Sequence, residues 1–246
     1  MSIFTIKLFT KSALNKYIHP YFSDMSRFAV IPAFNEEKNI EEVVKEISKL
    51  GVKPIVVDDG STDNTFSICM SNGVITLRHD TNRGKGEAVK TGLDYLIKNH
   101  PEFTHLVVID ADMQYHPEEV LKIFESFENS NADFVMGHRN WVGVPFRHQM
   151  GNFVWRNVFN ILFNTKFKDT NCGLIGINRN AVERLKESIC GGYIVDNSML
   201  IEAVKNNLKI DQIPVDVSYH RKSKVSLQIV TYLKNMDVYI YLKLIL

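Results

Sequence analysis

Two aspartates separated by one residue, Asp110 and Asp112, are the side chains in this sequence with the clearest capacity for chemistry. They follow a run of apolar residues, 106–109, that has the character of a buried strand. Where the chain leaves such a strand, two carboxylates at this spacing can reach a common point, and their oxygens are preferred ligands of Mg²⁺ or Mn²⁺. A cation held there would neutralise the charge of a departing diphosphate. Taken alone, the pair is equally consistent with a solvated turn.

A second pair of acids, Asp58 and Asp59, opens a segment of residues 58–63 that we call the first acidic loop. Ser61 or Asp63 could cap the helix that follows, but two adjacent acids exceed what a cap requires. One of them could accept a hydrogen bond from a nucleobase or from a ribose hydroxyl.

Two further segments carry polar groups at the same kind of position. The second acidic loop, residues 110–114, contains Asp110 and Asp112 and ends at Gln114. Residues 82–88 combine glycines with basic side chains at the start of a predicted helix, where an anion can bind. The spacing of a P-loop is absent from this segment.

The elements that would position these loops alternate along the first 140 residues. Short, continuous apolar segments are typical of strands covered on both faces, and the segments between them have helical periodicity. Such alternation predicts an α/β fold with a mainly parallel sheet flanked by helices, in which ligands bind beyond the carboxyl ends of the strands. The predicted strands are residues 28–31, 54–57, 74–77, 106–109 and 134–136, and the predicted helices are residues 39–50, a helix through about 69, 86–98 and 117–127.

The second half of the chain is less regular. Residues 144–164 predict a broad amphipathic helix, and 181–188 and 199–206 predict two shorter ones. Residues 174–177 predict a strand. Residues 210–219 predict another, and Pro214 within it indicates an edge position because proline cannot donate to a neighbouring strand.

The composition bounds the class of protein. The chain has 246 residues, 45% of them hydrophobic, which fits one large α/β domain. Its net charge of +1 argues neither for nor against a nucleic-acid partner, and any basic partner site must be local. We expect no nucleic acid among its partners. Three cysteines without close pairs favour a reducing compartment over a disulfide framework.

Neither a signal peptide nor a membrane-spanning helix is predicted, so we expect a cytoplasmic location. Residues 2–22 and 227–246 nevertheless mix large apolar side chains with lysines. These stretches and the helix at 144–164 could lie in a membrane interface, or could pack on the domain or on another copy. We expect peripheral contact with the cytoplasmic face of a membrane.

Five sequence motifs follow one another along the chain. In their residues and order they closely resemble the motifs of the family 2 glycosyltransferases of the GT-A fold, and within that family those of the dolichyl-phosphate mannose and glucose synthases. The similarity spans residues 28–226. The motifs are Ile31-Pro32-Ala33-Phe34-Asn35-Glu36, Asp58-Asp59-Gly60-Ser61, Asn82-Arg83-Gly84-Lys85-Gly86, Asp110-Ala111-Asp112-Met113-Gln114 and Gly137-His138-Arg139.

The resemblance implies a role for each matched position. A UDP- or GDP-sugar would bind with its nucleoside lined by Pro32, Ala33, Phe34 and Glu36. Lys85 would lie in the segment of residues 82–88, which we call the nucleotide loop. Asp59 would contact the base, with Asp58 beside it. The diphosphate would be bound by Mg²⁺ or Mn²⁺ and faced by Arg139. The implied metal ligands are Asp110, Asp112 and Gln114, and Asp110 would also face the ribose.

The acceptor side departs from the family pattern at informative positions. Arg221, Ser223 and Lys224 resemble the basic motif that grips an acceptor phosphate, although the motif is compressed here. Where the family often has a glutamate, this chain has Ser198, which leaves Asp196 as the nearby candidate for a general base. A hydroxyl acceptor needs such a base, whereas a phosphate is already anionic at neutral pH.

The resemblance therefore implies an inverting, metal-dependent transfer of a sugar to polyprenyl (dolichyl) phosphate, with Asp112, Arg139 and Asp196 as catalytic candidates and with Arg221 and Lys224 on the acceptor. Two alternatives remain open. One is transfer to a hydroxyl of a glycan or small molecule with Asp196 as base, and the other is a non-catalytic sugar-nucleotide-binding protein. The expected organisation is an amphipathic extension (1–26), a GT-A domain (27–226) and an amphipathic C-terminal segment (227–246).

Overall fold

The computed structural model describes residues 26–140, 146–189 and 195–218. The predicted amphipathic termini and the residues Arg221, Ser223 and Lys224 lie outside these ranges. Within them, strands and helices alternate as the sequence predicts up to residue 139.

Within the described ranges, seven strands form one sheet. They are β1 (Arg27–Ala33), β2 (Lys53–Asp58), β3 (Ile75–Arg78), β4 (His105–Val108), β5 (Phe134–Arg139), β6 (Ile175–Asn178) and β7 (Ile210–Val215), in the order β3-β2-β1-β4-β6-β5-β7. The pairs β1–β2, β2–β3, β1–β4 and β5–β7 are parallel, and β6 is antiparallel to β4 and β5. The prediction of a mainly parallel sheet is confirmed.

Helices cover the sheet between these strands. They are α1 (Ile40–Lys49), α2 (Thr65–Ser71), α3 (Lys85–Asn99), α4 (Glu119–Ser130), α5 (Phe146–Phe163), α6 (Arg179–Leu185) with a 3₁₀ turn at Lys186–Ser188, and α7 (Val195–Lys205). Apolar side chains of the strands are almost fully buried, as continuous apolar runs require, and include Phe28, Ile55, Leu106 and Phe134.

Several boundaries differ from the prediction by one to three residues, and two differ by four residues for identifiable reasons. Helix α7 begins at Val195 rather than 199, because its first turn contains the polar residues Asp196, Asn197 and Ser198, which are buried and conceal the periodicity. Strand β7 ends at Val215 rather than 219, since Val217 leaves β5 and bridges Tyr115 instead. The predicted edge position of β7 is confirmed.

This topology determines where the loops lie. Because β1, β2, β4, β5 and β7 run in one direction, their carboxyl ends meet at one edge of the sheet, which we call the carboxyl edge. Strand β6 runs the other way, so the loop that enters it, which includes Cys172 and Gly173, lies at the same edge. Both acidic loops, the start of α3 and the end of β5 converge there.

Candidate active site

The second acidic loop leaves β4 in a constrained conformation. Met113 has a positive φ of 58°, which is uncommon for a residue with a side chain, and the backbone N–H of Gln114 donates to Oδ1 of Asp112 at 3.0 Å. This turn keeps Asp110 and Asp112 beside one another at the carboxyl edge. Backbone strain of this kind is found at ligand-binding positions.

The electrostatics of this loop suit a cation. Burial raises the pKa of Asp112 to about 6, and the negative charges of Asp110 and Glu36 add to the effect. Burial likewise raises the pKa of Glu36. A divalent cation would remove the repulsion that these carboxylates impose on one another.

The residues present fit the predicted metal in chemical type. Two carboxylates and the amide of Gln114 supply the oxygen ligands that Mg²⁺ and Mn²⁺ take. Across the described ranges, no three His, Cys, Asp or Glu side chains are grouped to hold a metal ion. The predicted set contains only two residues of these types, so the metal set of Asp110, Asp112 and Gln114 stays a prediction.

Lys85 connects the two halves of the site. Its Nζ lies 2.8 Å from Oδ1 of Asp110 and donates to both carboxylate oxygens of Asp196, at 3.0 and 2.9 Å. Burial alone would lower the pKa of Lys85, but the charges of Asp110 and Asp196 outweigh it and raise the pKa. Asp196 is itself buried, which raises its pKa, while Lys85 opposes that shift. The candidate base is therefore engaged by a lysine from the nucleotide loop.

The carboxylates of the first acidic loop are engaged by hydrogen bonds and an ion pair within the protein, although Oδ2 of Asp58 accepts no hydrogen bond from the described residues. Asp59 accepts the backbone N–H of Arg83 at 2.9 Å and that of Gly84 at 2.7 Å, and its Oδ1 lies 2.7 Å from Nδ1 of His79. Asp58 is fully buried and is 3.0 Å from Nε of Arg78. Asp59, predicted to contact the base, thus holds the nucleotide loop in the structure.

The turn between these acids and helix α2 also stabilises the local structure. Asp63 accepts from the N–H of Thr65 at 3.0 Å and stabilises the start of α2, as one of the two predicted caps would. Ser61 instead accepts from the N–H of Asn35 at 2.9 Å. Gly60 has a φ of 73°, and a Cβ there would lie 2.6 Å from the backbone of Thr81, so only glycine fits.

Asn35 belongs to the first motif, but no role was predicted for it. It has a φ of 56°, and its Oδ1 accepts from the N–H of Thr62 at 2.9 Å, which ties the end of β1 to the first acidic loop. The signal was available, because asparagine tolerates the left-handed region and bonds to nearby backbone. Pro32 and Ala33 are buried within β1, while the ring of Phe34 is 43% exposed at the carboxyl edge.

Arg139 at the end of β5 is held by Asp169, a residue to which no role was assigned from the sequence. Its Nε donates to Oδ2 of Asp169 at 2.7 Å and its Nη2 to Oδ1 at 3.0 Å. Burial would lower the pKa of Arg139, but the hydrogen bonds and charge of the fully buried Asp169 raise it. The predicted phosphate-facing arginine is thereby fixed in orientation.

A close approach of backbone positions Asp110. A Cβ on Gly173 would overlap Oδ2 of Asp110 and lie 3.0 Å from its Cγ. The N–H of Gly173 donates to the hydroxyl of Tyr115 at 2.9 Å, so the loop entering β6 is bonded to the residue after the second acidic loop. Burial raises the pKa of the neighbouring Cys172 thiol to about 12, which makes it unreactive.

Comparison with known proteins identifies the family. The model of the glycosyl transferase family 2 matches residues 28–185, which include both acidic loops, Lys85 and Arg139. The chain belongs to this family. It is a glycosyltransferase, and the prediction of family and enzyme class is confirmed.

Individual relatives are similar to this family 2 glycosyltransferase over most of its length. It is 34% identical over 205 residues to the uncharacterized protein MJ0544 of Methanocaldococcus jannaschii, covering 78% of this chain and 88% of the relative. It is 28% identical over 221 residues to the UDP-N-acetylglucosamine–dolichyl-phosphate N-acetylglucosaminyltransferase of Methanococcus voltae, covering 80% and 87% of the two chains.

Solved structures show the same fold. A glucosyl-3-phosphoglycerate synthase from Mycobacterium tuberculosis, in complex with Mn²⁺, UDP and phosphoglyceric acid, superposes with a TM-score of 0.74 at 22% identity, covering 98% of this chain and 84% of that one. The family 2 glycosyltransferase therefore has the predicted GT-A fold. At this identity the likeness concerns the fold alone.

Proposed function

We propose that this glycosyltransferase transfers a hexose or N-acetylhexosamine from a UDP- or GDP-sugar to polyprenyl phosphate, with inversion at the anomeric carbon and with Mg²⁺ or Mn²⁺ bound. The observation that carries the choice of acceptor is the ion pair between Lys85 and Asp196, in which both oxygens of Asp196 accept from one ammonium group. The ammonium group stabilises the ionised carboxylate and so opposes its taking up a proton, which disfavours Asp196 as a general base.

An acceptor phosphate does not need that base. At neutral pH its oxygen is already anionic, and the protein has only to position it and to neutralise repulsion with the donor diphosphate. The relative from Methanococcus voltae, whose name gives a dolichyl-phosphate acceptor, supports the same choice.

The donor side follows from the loops at the carboxyl edge. Phe34 offers an exposed ring for the nucleoside, next to the buried Pro32 and Ala33, and Glu36 lies close enough to Asp110 for their charges to interact. Asp59 would act on the base chiefly by holding the loop with Lys85. When bound, a divalent cation at Asp110, Asp112 and Gln114 would neutralise the leaving diphosphate.

Arg139, fixed by Asp169, is oriented for the phosphates of the donor. The acceptor side is assigned to the segment that follows β7. The N–H of Ser218 donates to the carbonyl of Gln114 at 2.8 Å, so the chain that continues towards Arg221 and Lys224 departs from beside the second acidic loop. We assign these two cations to the acceptor phosphate.

Helix α5 supplies the proposed peripheral membrane contact. Its exposed side chains, Met150, Phe153, Val154, Val158, Ile161 and Leu162, recur at helical spacing, and Ile161 is 80% exposed. Across the described residues, no helix has the length and hydropathy that a membrane span requires. A polyprenyl acceptor remains in its bilayer, so an enzyme using it needs a surface of this kind.

The test is a donor-by-acceptor assay. Radiolabelled UDP- and GDP-sugars are supplied with Mn²⁺ or Mg²⁺, with and without dolichyl phosphate, and the products are extracted into organic solvent. We expect metal-dependent label in the organic phase, and its loss in Asp112→Ala. Label that appears only in a water-soluble product would contradict the proposed acceptor.

A second variant separates the two acceptor classes. In Asp196→Asn, a hydroxyl transferase would lose its base and about a hundredfold or more in turnover. A phosphate transferase would lose the Lys85 ion pair and retain a measurable rate. Rescue of Asp196→Asn by raising the pH would indicate a hydroxyl acceptor and would overturn the proposal.

A further inference from the structure

A cation-lined cavity lies beyond the carboxyl ends of β5 and β7 and shares only Arg139 with the groups assigned to the donor. Its volume is about 780 Å³, and the charged and titratable side chains that line it are Lys122, His138, Arg139, Arg156, Lys168 and Asp216. This volume would hold a phosphate-bearing group of moderate size.

The cations of this cavity differ in how far they are neutralised. Lys122 pairs with Glu119 at 2.7 Å, and Arg139 pairs with Asp169. Within the described ranges no carboxylate lies within ion-pair distance of Arg156 or Lys168. Burial lowers the pKa of His138, and the charge of Lys168 adds to the effect. Asp216 opposes the two unneutralised cations, which leaves a net positive cavity.

Arg156 joins the cavity to helix α5. Its Nη1 donates to the carbonyl of Lys168 at 3.3 Å, and its guanidinium lies 5.3 Å from the centre of the Phe153 ring. Phe153 is 53% exposed and belongs to the apolar face of α5. The apolar face and Arg156 thus lie on one helix, and Lys168, which follows that helix, is hydrogen-bonded to Arg156 through its carbonyl. Basic side chains beside an exposed apolar helix face are the arrangement that binds an anionic lipid surface.

We propose that this cavity binds the phosphate headgroup of an anionic phospholipid through Arg156 and Lys168, while the exposed apolar face of α5 enters the acyl boundary. The inference rests on the membrane contact in the proposed function, and it does not depend on which sugar or acceptor the enzyme uses. Its chemistry is shared with a free phosphate ion, so the test has to separate the two sources.

The experiment is flotation of the full chain with vesicles of phosphatidylcholine alone and of phosphatidylcholine mixed with phosphatidylglycerol. The variant Arg156→Gln/Lys168→Gln removes the two cations. The matched control, Lys53→Gln/Lys98→Gln, removes the same charge from exposed positions at the start of β2 and near the end of α3, on the opposite edge of the sheet.

We expect the wild type to favour the anionic vesicles, and the cavity variant to lose about tenfold or more of that binding while the control retains it, since each basic side chain near an anionic surface contributes about 1 kcal/mol. Equal losses in both variants would show a diffuse charge effect and overturn the proposal. Thermal stabilisation by inorganic phosphate without vesicle binding would also overturn it, in favour of a soluble ligand.

A transfer assay in detergent distinguishes failure of the headgroup site from failure of the proposed function. Transfer to a short-chain polyprenyl phosphate in detergent should be retained by the cavity variant, because neither residue is assigned to the reaction. If the wild type binds anionic vesicles through the cavity and yet transfers nothing to polyprenyl phosphate, the acceptor assignment is wrong and the headgroup site stands. If transfer occurs and the cavity variant binds vesicles as the wild type does, the headgroup site is wrong.

Discussion

The two acidic loops of this glycosyltransferase begin alike and end up with opposite surroundings. In the first, Asp58 is fully buried and Asp59 is 3% exposed. Backbone N–H groups and His79 bond to their oxygens, and Oδ2 of Asp58 has an ion pair with Arg78 in place of a hydrogen bond. In the second, burial and neighbouring acids raise the pKa of Asp112 to about 6, and Lys85 is the cation that pairs with Asp110. The acids of the first loop therefore stabilise the loop itself, whereas those of the second loop repel one another and could bind a cation.

This difference separates structural carboxylates from ligand-binding carboxylates within the family motifs. Carboxylates whose bonding capacity is met by the protein fix loops, and carboxylates that repel one another are poised for a cation or a substrate. The comparison would fail if substitutions in the two loops had the same consequences.

The largest expected effect is the loss of activity in Asp112→Ala. Because a bound metal contributes several kcal/mol of charge stabilisation, we expect turnover to fall by about a hundredfold or more, with the free energy of unfolding unchanged or increased. Initial rates of sugar transfer and urea denaturation measure the two quantities. Unchanged activity of Asp112→Ala would show that the second acidic loop does not take part in the reaction.

The converse is expected for Asp59→Asn. The amide cannot accept from both Arg83 N–H and Gly84 N–H, so we expect a loss of about 2–3 kcal/mol in the free energy of unfolding. Chemical denaturation measures it, and exposed Asp94→Asn on α3 is the control. A stable variant that fails only in donor affinity would show that Asp59 contacts the base directly.

A smaller effect is expected from Gly173→Ala. The added methyl group overlaps Asp110 and would displace its carboxylate, so we expect about a tenfold loss in kcat/KM together with weaker Mn²⁺ affinity. Gly137→Ala is the matched control, because its Cβ would meet the sulfur of Cys172 at 2.8 Å rather than a carboxylate. If both variants changed the Mn²⁺ affinity equally, Gly173 would have no specific positioning role.

The smallest effect concerns pH. The folded pKa of Asp112, about 6, lies above its ordinary value of 3.8, so its contribution to stability is full below about pH 4 and is lost as the pH rises through 6. In metal-free buffer, Asp112→Asn should therefore gain on the order of 1–2 kcal/mol relative to the wild type between pH 4 and 7. Differences in Tm across this range provide the measurement, and a constant difference would contradict the raised pKa.

The sequence by itself determined the alternation of strands and helices, the edge position of β7 and the convergence of both acidic loops at the carboxyl edge. It could do so because continuous apolar runs, helical spacing and Pro214 are local features, and the direction of parallel strands follows from them. Five ordered motifs also sufficed for the family and the fold.

Only the tertiary structure decided which carboxylate has which partner. Lys85 and Asp196 are 111 residues apart, and Arg139 and Asp169 are 30 apart, so neither pair follows from local pattern. The close approach of Gly173 to Asp110 and the neutralisation of Asp59 by backbone groups likewise depend on how loops from different strands pack together. Such contacts are set by packing across the sheet edge, where hydrogen-bond capacity has to be satisfied between segments that are distant in sequence.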